Sequence, residues 1–239
     1  MSSYKSFALV GAGLLGTPIV VSLAAKNVPV VVISRPNSKS LDKLPVGVQV
    51  NSAVVDTSDS AAVTAVLKEN NVDVVIATLA SQGVQHLKEV GVPSLRIFTG
   101  LFMEFILMAF GYAKTKKIVV LGKGEATISS TSITDIAGFV AHVLTTLPHE
   151  QVENKILRIQ GDSLKANELG PLFNTTVEHV DDIPGPMKGL MLAADNGAGS
   201  TGWDVVAGRE GTGDAAAGSA SELWPGHHWR TIKEVHHIS

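Results

Sequence analysis

One hexapeptide, Gly11-Ala12-Gly13-Leu14-Leu15-Gly16, restricts this chain more than any other segment. It follows an apolar run, Ser6 to Val10, and precedes Leu14 to Ala25, which is rich in helix formers. The order is strand, tight turn, helix. Pro18 is compatible with it, because the first turn of a helix tolerates proline. In that context the three glycines have separate tasks. Gly11 permits the turn, Gly13 lets the backbone approach a pyrophosphate, and Gly16 lets the helix pack close to the strand. The backbone amides at the helix start, Leu14 and Leu15 among them, face the negative charge. A glycine turn without a ligand is the bland alternative, and the strand-turn-helix context argues against it.

Downstream the alternation continues. Val28 to Ser34 is a nearly unbroken β-branched run, as expected of a parallel strand buried on both faces. Val48 to Val55 reads as a third strand, Ser60 to Glu69 as a helix and Val72 to Leu79 as a fourth strand. Gln82 to Val90 reads as a short helix, Leu95 to Thr99 as a strand, and Leu101 to Ala113 as an apolar helix. Lys117 to Leu121 and Glu125 to Ser129 flank Gly122-Lys123-Gly124 like the arms of a hairpin. A helix follows over Thr134 to Leu147, capped by Thr134 or Ser132, and then a strand over Lys155 to Ile159. Asp181 to Leu192 is mixed, and the Gly/Ala-rich stretch 197–221 reads as a mobile loop. The expected fold is α/β, a Rossmann-type doubly wound parallel sheet over 1–150, with a smaller C-terminal substrate region over 151–239.

Specificity within a dinucleotide site is read at the end of the second strand. Arg35 lies there, 19 positions after Gly16 (35 − 16), where an acidic residue would meet the ribose of NAD. A guanidinium suits a phosphate in charge and geometry, and Ser34, Asn37, Ser38 and Lys39 can add donors, so NADPH is expected over NADH. A solvated arginine at a loop start is the alternative. Asp56, closing the third strand, is placed to meet the adenine edge or to cap a loop. Thr78, Leu79 and Ala80 end the fourth strand, where ligands of such sheets bind.

Other chemistry is weaker. Tyr112 and Lys116 have the spacing by which a lysine lowers the pKa of a catalytic tyrosine one helical turn away. They stand at the end of a helix, where a solvated pair is the plainer reading. His227-His228 and His236-His237 are adjacent pairs, unsuited to an i, i+4 metal site, and read as surface histidines. Asp181-Asp182 reads as a solvated turn, and no Gly-x-Ser-x-Gly supports a hydrolase. No metal site is expected.

Composition narrows the partners. A net charge of −3 with scattered Lys and Arg offers no attraction to nucleic acid or anionic lipid. The absence of cysteine excludes disulfides and thiol catalysis. Leu101 to Phe110 is too short to span a bilayer, which takes roughly 20 apolar residues, and no secretion signal follows Met1, so a cytoplasmic protein is expected.

Taken together, Gly11 to Gly16, Ser34-Arg35-Pro36, Phe98-Thr99-Gly100-Leu101-Phe102, Thr134-Asp135-Ile136-Ala137 and Leu223-Trp224-Pro225 resemble the NmrA-like and isoflavone reductase-like proteins, atypical short-chain dehydrogenases. The fungal NmrA-like members are especially similar. The resemblance implies NADP(H) as cofactor, Gly100 and Phe102 as part of its site, and either reduction of a small, aromatic or related molecule or dinucleotide sensing toward a protein partner. Against the family pattern, the interval between the fourth strand and Leu95 is short by a helix and a strand, joined near Gln82-Gly83. The family's catalytic lysine falls in that interval, and Lys88 is not its substitute by position. A chain of this kind is a reductase, a sensor with impaired catalysis, or a shortened isoform with little activity.

Overall fold

The computed structural model describes residues 4–78, 87, 89–185 and 187–238. The expected Gln82–Val90 helix, the junction near Gln82-Gly83 and Lys88 lie wholly or mostly outside the described residues. Contacts divide the chain into two units, Met1–Leu95 with Ile136–Lys155, and Arg96–Asp135 with Ile156–Ser239.

The first unit contains β1 (Phe7–Val10), α1 (Gly16–Ala24), β2 (Val30–Ser34), β3 (Asn51–Val54), α2 (Ser60–Glu69) and β4 (Val74–Ala77). The strands form one parallel sheet in the order β3-β2-β1-β4. This is the half-sheet order of a Rossmann fold, and its direction of winding reverses between β1 and β4. All five residues of β2 are buried, which explains its unbroken Val/Ile run. Ile19, Val20 and Leu23 make the buried face of α1. On α2, Val66 packs with Ala8, Val31 and Ile33, and Asp59 starts the helix by accepting from the amides of Ala61 and Ala62, both at 3.0 Å. The helix Ile133–Thr146 supplies this unit from Ile136 onward, with Phe139 and Val143 fully buried. Tyr4 donates to Glu153 Oε1 at 2.9 Å and stacks on His149 at 4.2 Å, tying the N-terminal segment down.

The second unit is built from short strands: β5 (Arg96–Phe98), β6 (Leu101–Phe102), β7 (Ile118–Leu121), β8 (Thr127–Thr131), β9 (Ile156–Arg158), β10 (Asp162–Lys165), β11 (Val177–Val180), β12 (Trp203–Asp204) and β13 (Arg209–Glu210). β10, β8 and β6 form a three-stranded sheet, while β5 pairs with β9, β7 with β11 and β12 with β13. These long-range pairings draw residues 96–135 to the C-terminal part, so the division does not fall at 150 and the second unit is not one continuous stretch. Its core gathers Met103, Ile106, Phe110, Ile118, Leu164, Leu169, Met191 and Ile232.

Several local expectations are corrected here. The Gly122-Lys123-Gly124 turn does not close a hairpin, because β7 pairs in parallel with β11 and β8 pairs with β10 and β6. Leu101 to Ala113 is not one helix. It opens as β6, passes through a tight turn and yields two single-turn helices, Ile106–Ala109 and Tyr112–Thr115, separated by Gly111 at φ +72°. Stretch 197–221, expected as a loop without packing, carries the β12-β13 hairpin and buries Thr201 and Ala220. Ser132 is the N-cap of the long helix, its hydroxyl accepting from Asp135 N at 3.0 Å, and Glu104 also accepts from Ile133 N at 2.9 Å.

Candidate functional site

In the first unit the glycine turn leaves β1 and enters α1. Gly11 has φ +86°, in the left-handed region, and donates to Ile33 O at 3.1 Å, which holds the turn against β2. A Cβ on Gly16 would stand 2.2 Å from Gly11 O and 3.0 Å from Leu9, so the close approach of α1 to β1 demands glycine. A Cβ on Gly13 would meet nothing within 4 Å. The surface there is open backbone, which is what a phosphate requires. Leu14 is exposed and Leu15, at the helix N-cap, supplies no side-chain cap; no acidic residue occupies the first turn. The amides of a first helical turn have no intrahelical partners, so α1 presents donors and positive dipole to this opening. The geometry fits a pyrophosphate.

Around the turn, Thr78 follows β4 with its hydroxyl 3.5 Å from Gly11 O, on the winding-reversal side of β1. Ser34, the last residue of β2, is buried, and its hydroxyl has no hydrogen-bond partner among the described residues. Buried polar groups are usually bonded, so this hydroxyl keeps its bonding capacity unused at the end of β2. Arg35 is exposed immediately beyond it, as are Asn37, Ser38 and Lys39. Asp56 is held below the usual carboxylate range, first by the Ser58 amide and hydroxyl at 2.9 and 2.7 Å, then by the charge of Arg35. Asp56 therefore closes a loop turn and stands within electrostatic reach of Arg35. Leu79 and Ala80 lie outside the described residues.

The second unit holds an apolar cavity of about 410 Å³. Gly100, Leu101, Phe102, Phe110, Val120 and Ile128 line it together with Met187, Leu190 and Met191, and among the described residues Asp195 is the one ionisable side chain in its lining. Both residues that the resemblance attached to the cofactor, Gly100 and Phe102, are placed here. Gly100 is forced by its surroundings: φ is +65° and a Cβ would stand 2.2 Å from Ser129 O. Tyr112 and Lys116 do not line the cavity. The Tyr112 helix ends at Thr115 and Lys116 is left-handed at φ +58°, with its Nζ 5.5 Å from the Tyr112 ring centroid. The two stack at a helix end.

Two groups of residues escaped the sequence reading. Asp195 Oδ1 and Oδ2 accept from the amides of Gly124 and Lys123 at 2.7 and 3.0 Å, so a carboxylate from far along the chain braces the Gly122–Gly124 turn. Asp135 is buried and accepts from Arg230 N at 3.0 Å while pairing with His227 Nε2 at 3.1 Å. His227 stacks on Trp224 at 3.6 Å, and His236 Nε2 lies 2.8 Å from Met103 O, so these two are not free surface histidines. The only sequence signal was that Asp135 and Trp224 lie in segments that drew the family resemblance. Among the described residues no cluster of His, Asp and Glu could hold a metal, and no helix is long and apolar enough to cross a membrane.

The model of the NAD dependent epimerase/dehydratase family matches residues 9–90, which carry the end of β1, the glycine turn and β2 to β4. No curated protein matches the sequence. Among solved structures, the leucoanthocyanidin reductase–NADPH complex of Vitis vinifera is similar at TM-score 0.74 and 15% identity, over 97% of this chain and 98% of that one. An isoflavone reductase is similar at TM-score 0.72 and 16% identity, over 98% of each chain. An NADPH-dependent quinone oxidoreductase of Escherichia coli, complexed with NADPH, is similar at TM-score 0.65 and 19% identity, over 97% and 99%. Likeness at such identities is likeness of fold, and with the strand order and glycine turn it establishes a Rossmann-type α/β fold for this chain.

Proposed function

We propose that this chain is an NADPH-binding protein of the NmrA-like and isoflavone reductase-like kind that reduces a small apolar molecule. The observation that carries the reading is the Gly11–Gly16 turn at the winding reversal of a 3-2-1-4 parallel sheet, followed at the end of β2 by Arg35 in place of an acid. Gly13 and the first turn of α1 would hold the pyrophosphate, Arg35 and Lys39 would meet the extra ribose phosphate, and the Ser34 hydroxyl would bond within the same region. Asp56 and Thr78 would border the adenosine half. When bound, NADPH would supply the hydride, and a proton drawn from solvent would balance the two-electron reduction. The cavity lined by Gly100 and Phe102 would take the molecule to be reduced. On this reading the interval after β4 is short by one helix-and-strand unit of the family pattern, which transcript sequencing across residues 81–88 checks. Stereospecific NADPH oxidation with a panel of aromatic carbonyl and alkene compounds tests the activity; no turnover with any member defeats it.

A second reading, a dinucleotide sensor that signals to a protein partner, is favoured by one observation. Among the described residues the cavity lining contains no Lys, Arg, His or Tyr to donate a proton or orient a carbonyl. Unequal affinity for NADPH and NADP+ supports redox sensing, and equal affinity rules it out.

A further inference from the structure

An apolar cavity selects its ligand through the few polar groups it contains, because each must be bonded or left unpaired on binding. Here the choice narrows to one side chain. We propose that Asp195 is the specificity-determining residue of the cavity, and that the cavity takes an uncharged apolar molecule whose hydroxyl or N–H donates to this carboxylate. The inference rests on the reading of the cavity as the substrate site.

Three observations lead to it. Among the described residues Asp195 is the only ionisable side chain in the lining, and every other one there is aliphatic, aromatic, Met or Gly. Its carboxylate is fixed in place, each oxygen accepting one backbone amide, from Gly124 at 2.7 Å and Lys123 at 3.0 Å. An ionised carboxylate can accept about four hydrogen bonds, so one accepting direction on each oxygen remains for a ligand. The brace itself is tight: a Cβ on Gly122 would stand 2.2 Å from Asp195 Oδ2, so the turn can approach only as glycine. A negative charge held rigidly at an apolar wall favours a donor and repels an anion. Among the described residues the lining offers no cation to offset a carboxylate, phosphate or sulfate on the ligand.

The test uses three two-ring probes matched in size and substituted at one ring position: naphthol, its methyl ether and naphthoate, titrated calorimetrically into the full chain without dinucleotide. Naphthol is expected to bind about tenfold more tightly than either of the others, the worth of one hydrogen bond to a charged group. In Asp195→Asn, which keeps an acceptor for one amide and turns a donor to the other side, the preference over naphthoate is expected to fall to about threefold or less. Equal binding of the three by the unaltered protein overturns the proposal, as does an unchanged ratio in folded Asp195→Asn. Binding of none of them overturns it too. Calorimetry with NADPH on the same samples separates that failure from failure of the dinucleotide site, since none of the probes resembles a dinucleotide.

Discussion

Gly16 and Gly11 meet across the first βα turn so closely that a single carbon on Gly16 would stand 2.2 Å from the Gly11 carbonyl oxygen. Gly13, between them, faces open space. The two positions therefore separate packing from binding. Gly16→Ala is expected to cost about 1–3 kcal/mol in urea unfolding, as overpacking does, along with dinucleotide affinity. Gly13→Ala is expected to leave stability within about 0.5 kcal/mol and still weaken NADPH about tenfold or more, by occupying the phosphate opening. Unfolding and calorimetry on both variants check the pair; equal NADPH affinity in Gly13→Ala would refute the phosphate assignment.

On the proposed reading the choice of cofactor falls to Arg35. Losing a charge-assisted bond to the extra ribose phosphate is worth about 1.5–3 kcal/mol, or roughly ten- to a hundredfold. Arg35→Glu is expected to reverse or abolish the preference for NADPH over NADH. An unchanged ratio of the two dissociation constants removes Arg35 from the site.

Asp135 anchors the C-terminal segment of the second unit through His227 and the Arg230 amide. Asp135→Ala leaves both without their acceptor and is expected to destabilise the protein by about 2 kcal/mol in urea unfolding, with a change in tryptophan fluorescence because Trp224 and Trp229 pack on His227. Stability equal to the unaltered protein would mean the contact contributes nothing.

Glu234 closes the last helix, Ile232–His236, as the reciprocal partner of Thr231. Its carboxyl is lowered from 4.5 to about 2, first by the Thr231 amide at 2.7 Å, then by His228 and the Thr231 hydroxyl. The folded value lies below the unfolded one, so the stabilisation is complete above pH 4.5 and is lost as pH falls from there toward 2. Glu234→Gln is expected to flatten that part of the acid-unfolding profile; a profile identical to the unaltered protein contradicts the assignment.

How much of this was legible follows from how far apart the partners lie. The first unit is made by strands joined through nearby helices, and each leaves a local pattern: the buried run of β2, the Asp59 cap of α2, the three glycines. Ser60–Glu69 was readable to the residue for that reason. The second unit is made by strands of two to five residues paired over long distances, too short to show a period. Gly122-Lys123-Gly124 looks like a hairpin locally, and nothing near it in sequence reveals that Asp195 holds it or that β7 pairs with β11. The cavity escaped for the same reason, since its walls come from segments near 100, 120 and 190. His227 reads as exposed until Asp135 and Trp224 are brought to it.

The central claim is that the Gly11–Gly16 turn and Arg35 together hold NADPH. Calorimetric titration of the full chain with NADPH and with NADH tests it directly. NADPH is expected to bind with one site per chain, about tenfold or more tighter than NADH. No binding of either, or NADH binding as tightly as NADPH, contradicts it.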